Sequence, residues 1–66
     1  MNVTVNGQPR HLNPGTTVAE LVEQVAGTSR GTAVAIDGTV VPRGSWPTQH
    51  IRDGGVVELV MAVQGG

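Results

Sequence analysis

Apolar and polar residues alternate from the first few positions. Val3 and Val5 interleave with Asn2 and Thr4, the period of two expected of a half-buried strand. Asn6-Gly7 follows, a short-range hairpin signal because both residues tolerate positive φ. A second strand is predicted around residues 10–13, pairing back antiparallel and closed by Pro14-Gly15.

The period then changes. Val18, Leu21, Val22 and Val25 fall at i, i+3, i+4 and i+7, one apolar stripe on a helix. Thr17 and Glu20 have the spacing of a capping box, and Gly27 stands where a C′ glycine belongs. A helix of about 9–10 residues is too short to hold alone in water, so it must dock on a sheet. After a loop over residues 28–31, the run TAVAIDGTVV reads as a second hairpin turning at Asp37-Gly38. Its first arm puts Val34 and Ile36 on one face and Ala33 and Ala35 on the other. Pro42 stops the second arm. RGSWPTQHIRDGG is loop-like, with a helical turn expected around residues 45–48. Asp53-Gly54-Gly55 leads into a final strand, where Val57, Leu59, Met61 and Val63 share one face and Val56, Glu58, Val60 and Ala62 the other.

The order is therefore hairpin, helix, hairpin, loop, strand, an α+β domain. One helix lies across one face of a mixed sheet of four or five strands. The near-continuous apolar run 56–63 suits a central strand lying parallel to the first.

Composition narrows the function classes. Sixty-six residues make one domain, and a domain of that size buries only about 60% of its unfolded surface. That leaves little room for an internal catalytic cavity. A net charge of −1 with four scattered arginines provides no basic field for nucleic acid, and Trp46 is the one aromatic residue. Cysteine is absent, which removes disulfides, thiolate metal sites and thiol redox chemistry. His11 and His50 lack metal-ligand spacing, and GTSRG at residues 27–31 lacks the Gly-Lys-Ser/Thr ending of a phosphate loop. Nothing at the start resembles a signal peptide, and no apolar run approaches the roughly 20 residues of a membrane span, so a cytoplasmic chain is expected.

TVAELVEQV, VAIDGTVVPRGSW, HIRDGG and the closing Gly65-Gly66 carry a resemblance over essentially the whole chain. In this order they resemble the ubiquitin-like β-grasp fold, and within it the ThiS family of sulfur carriers in thiamin thiazole biosynthesis. The resemblance implies a carrier that is not itself an enzyme. A partner related to ubiquitin-activating enzymes adenylates the Gly66 carboxylate, using ATP and Mg²⁺ that the carrier does not itself bind. A persulfide from a cysteine desulfurase route displaces AMP, leaving a thiocarboxylate on Gly66, and thiazole synthase accepts the sulfur.

The residues agree with this cycle. A chain without cysteine cannot hold sulfur as its own persulfide, so a carried sulfur needs the carboxyl of Gly66. Glycines at 65 and 66 lack Cβ, so the tail, Gln64 included, can thread a narrow tunnel. Two glycines have nothing to pack, and residues 64–66 are expected to be a flexible tail; by themselves they would also suit a frayed end. Ala35, Val60 and Ala62 form an apolar patch on the outer sheet face, which in the resembling carriers docks on the adenylating enzyme. Trp46 is expected to be a partial lid over the sheet's end, with an interface anchor as the alternative. Arg43 stays open between a solvated charge and a partner contact. Two other functions also stay open: a sulfur carrier of the molybdopterin-synthase small-subunit type, and a ubiquitin-like protein modifier or interaction module.

Overall fold

The computed structural model describes residues 1–61. The expectations for Ala62, Val63, Gln64, Gly65 and Gly66 lie outside the described residues. Five strands and one α-helix run in the order β1 (Asn2–Val5), β2 (Gln8–His11), α1 (Val18–Ala26), β3 (Thr32–Ile36), β4 (Thr39–Val41) and β5 (Val56–Met61). They form one mixed sheet of order β2-β1-β5-β3-β4. β5 is central, parallel to β1 and antiparallel to β3, as its apolar run implies.

Local chemistry sets most of the boundaries. Asn6 and Gly7 sit at φ 51° and 79°, and Asp37 and Gly38 at φ 49° and 84°, so both dipeptides make tight turns through the left-handed region. At the start of α1 the Thr17 hydroxyl accepts the Glu20 N–H at 3.2 Å, and Glu20 Oε1 accepts the Thr17 N–H at 3.0 Å. That reciprocal pair satisfies two amides that the helix itself cannot. Gly27 closes the helix at φ 73°, donating its N–H to the Glu23 carbonyl.

Three expectations shift. β2 spans Gln8–His11 rather than residues 10–13, because the two-residue turn lets pairing start at once with Val5 opposite Gln8. β2 is an exposed edge strand, where Pro9 is tolerated, and Leu12 leaves it to enter the core. The helical turn expected at residues 45–48 begins earlier, as a 3₁₀ turn over Arg43–Ser45 directly after Pro42. Met61 was expected on the core face, yet it is 51% exposed. Pairing of β1 with β5 ends at Val5 opposite Val57, so β5 runs past its neighbour and Met61 is flanked by β3 alone.

The core lies between α1 and one face of the sheet. Val18, Leu21, Val22, Val34 and Val57 are its most deeply buried side chains. The long 42–55 segment closes the open end by bonding to the start of the helix: Val18 N–H donates to the Gln49 carbonyl, Ala19 N–H to Trp46, and Ile51 N–H to Thr16. Among the described residues, no helix is long and apolar enough to cross a membrane.

Candidate functional site

Two features of β5 bear on function: the outer face it shares with β3 and β4, and the way it is held before the chain continues past Met61. On the outer face, Ala33 lies opposite Val60, and Ala35 lies between Val40 and Glu58. Val60 is 65% exposed and Val40 71%. Together these residues line a shallow depression of about 110 Å³. The structure thus brings the expected patch residues Ala35 and Val60 onto one surface and adds Val40, which the sequence reading missed. The signal was available, since pairing across Asp37-Gly38 sets Val40 opposite Ala35.

Trp46 does not belong to that surface. It is 4% exposed, and its indole N–H donates to the Val41 carbonyl at 3.0 Å. Its burial in the core cluster agrees with the expected lid over the sheet's end. Arg43 stacks over the Trp46 ring at 5.1 Å from its centroid and donates to the Thr32 carbonyl at 3.2 Å. Its guanidinium is at the surface, but it ties the 42–46 loop to the chain's own β3.

The grip on β5 comes from both hairpin tips. On one flank the Asn6 N–H donates to the Val57 carbonyl at 2.9 Å, and Asn6 Oδ1 accepts the Leu59 N–H at 2.8 Å. On the other flank the Asp37 N–H donates to the Val56 carbonyl at 2.8 Å, and Asp37 Oδ1 accepts the Val56 N–H at 3.0 Å. Each turn residue thus both bends its own hairpin and holds the central strand. The bond to the Val56 amide, and after it the Arg52 guanidinium at 3.1 Å, hold the Asp37 carboxyl below its ordinary pKa. The hydrogen bonds from Thr17 lower Glu20 in the same way.

Two other hollows are open grooves. One, of about 270 Å³, separates the β3–β4 hairpin from Gln49, His50 and Arg52; the other, of about 310 Å³, lies between the β1–β2 hairpin and Val25. Among the described residues, no three acidic or histidine side chains gather to hold a metal ion.

The ThiS family model matches residues 3–66. The chain is 35% identical over 66 residues to the sulfur carrier protein ThiS of Escherichia coli, covering 100% of both chains. To the sulfur carrier protein ThiS of Thermus thermophilus it is 38% identical over 64 residues, 97% of this chain and 98% of that one. The crystal structure of the thiamine biosynthesis protein ThiS from Geobacter metallireducens superposes with a TM-score of 0.83 at 29% identity, covering all of both chains.

Proposed function

The chain belongs to the ThiS family, and from that premise we propose that it is a sulfur carrier whose working group is the carboxylate of Gly66. The similarity to named sulfur carriers over the full length of both chains is the observation that carries this reading. The chain's own part is to present a carboxylate, not to catalyse. An activating enzyme transfers AMP from ATP to that carboxylate, releasing pyrophosphate and turning a poor acyl donor into a good one. A persulfide sulfur displaces AMP, and cleavage of the S–S bond by a thiol leaves the thiocarboxylate. Thiazole synthase then takes the sulfur. ATP and Mg²⁺ sit in the activating enzyme, and the cytoplasm supplies the ATP and reduced thiols that this chemistry needs.

In this reading the surface around Val60, Ala35 and Val40 meets the activating enzyme while residues 64–66 enter its active site. The absence of cysteine supports the assignment to Gly66, because no side chain of this chain can carry sulfur as a persulfide. Intact-mass measurement after incubation with the activating enzyme, ATP and a persulfide donor tests it. The expected product has one oxygen replaced by sulfur. A variant without Gly66 should fold as the parent does and gain neither AMP nor sulfur; if it is still charged, the site lies elsewhere.

A further inference from the structure

Asn6 is more than a turn residue. A tight hairpin of this kind is built as well by Gly-Gly as by Asn-Gly, so the turn itself does not require the carboxamide. Asn6 nevertheless occupies the left-handed region at φ 51° and aims Oδ1 at an amide 53 positions away in sequence. The place it reaches is the first one that β1 cannot serve. The ladder between β1 and β5 ends at Val5 opposite Val57. The Asn6 main chain takes the Val57 carbonyl, and its side-chain oxygen then stands where the carbonyl of a longer β1 would stand, taking the Leu59 N–H. The support on this flank is extended by one rung and ends there. Asp37 cannot substitute, since it holds Val56, at the other end of the strand and on the other flank.

We propose that Asn6 is a positioning residue for the carrier's reaction, holding through Leu59 the second flank of the last part of β5, from which the chain continues to the carboxylate that the activating enzyme takes. The inference rests on the sulfur-carrier reading. With the Leu59 amide held, seven residues separate the last doubly supported position from the Gly66 carboxyl. Without it, that position retreats to Val57, and the rest of β5 as far as Met61 is held by β3 alone. A strand end held on one flank in place of two lowers the fraction of carriers whose carboxylate lies within reach of the partner's ATP. It therefore raises the apparent KM for the carrier, while a carboxylate once seated reacts as before.

Two substitutions separate this role from turn formation. Asn6→Gly keeps the turn and deletes the acceptor; Asn6→Asp keeps both. Amide hydrogen exchange at Leu59 and steady-state adenylation by the activating enzyme are measured where each variant is fully folded. In Asn6→Gly, Leu59 should exchange about tenfold faster or more. The KM for the carrier should rise several-fold with kcat within about twofold, and Asn6→Asp should restore both readouts. An unchanged KM in Asn6→Gly beside a normally charged parent overturns this inference alone. So does an unchanged Leu59 exchange rate, a loss confined to kcat, or a failure of Asn6→Asp to restore the parent's values. A parent chain that is never charged overturns the sulfur-carrier reading and this inference with it.

Discussion

Replacing Trp46 with Phe separates a core residue from an interface residue by measurement. Phe keeps a ring under Arg43 but removes the indole N–H, so the Val41 carbonyl loses its 3.0 Å partner inside the core. Val41 also stands opposite Val34 in the β3–β4 ladder, so the cost is that of one hydrogen bond, about 0.5–1.5 kcal/mol. The smaller ring adds roughly 1 kcal/mol of lost apolar burial, for a total of about 1.5–2.5 kcal/mol. A chain of this length holds on the order of 3–10 kcal/mol of stability altogether, so the loss is a large fraction of it. For a domain of this size each kcal/mol moves the melting temperature by about 4–8 °C, and Trp46→Phe should melt about 6–20 °C below the parent. Far-UV circular dichroism is the assay, since the substitution removes the chain's one indole fluorophore. The second half of the experiment is adenylation at a temperature where the variant is folded, where KM should match the parent's. A variant that melts with the parent but shows a raised KM would refute the burial argument and return Trp46 to the docking surface.

The outer face should behave in the opposite way. Val60→Ser removes apolar surface that is 65% exposed, so stability should stay within about 0.5 kcal/mol of the parent, while the KM for adenylation rises several-fold; equal KM values would dissociate this face from docking. Thr17→Ala deletes the hydroxyl that accepts the Glu20 N–H and should cost about 1 kcal/mol in urea unfolding. The Asp37 carboxyl has a lowered pKa in the folded chain, so its stabilisation is complete above the unfolded carboxylate pKa and is lost as pH falls through the folded value. The parent's melting temperature should therefore drop in the acid range below about pH 4. Asp37→Asn should flatten that drop, and an unchanged slope would show that Asp37 is not its source.

The parts of the fold legible in the sequence are those whose chemistry is complete within a few residues. Asn6-Gly7, Asp37-Gly38, the Thr17–Glu20 box and Gly27 each depend on partners at most four positions away, and each stands where its spacing places it. The central position of β5 was also legible, from an apolar run too long for an edge strand. What failed depended on neighbours that the sequence does not order. Alternation assigns Met61 to the inner side of β5, but cover there needs a strand on each flank, and β1 has already turned. β2 was misplaced because Gln8, Pro9, Arg10 and His11 are all exposed and carry no apolar signal. The grips of Asn6 on Leu59 and Asp37 on Val56 span 53 and 19 positions, so Asn and Asp read only as turn formers. The match of the family model over residues 3–66 agrees with the resemblance read from VAIDGTVVPRGSW and HIRDGG. Ala35 and Val60 fell on a common face because strand alternation alone fixes that.

The placement of β5 has a consequence for biosynthesis. β5 is translated after the other elements, yet both halves of the sheet meet only through it: β1 pairs with β2 and β5, and β4 reaches the rest through β3. While the ribosome is still making residues 42–55, the nascent chain holds two separate hairpins and a short helix with no closed sheet beneath them. A lone hairpin is marginal in water, so folding must wait for residues 56–61 and then close contacts between distant parts of the chain in one step. A carrier interrupted before that point would leave unpaired strands as prey for proteases, with no folded body able to dock and compete for the activating enzyme.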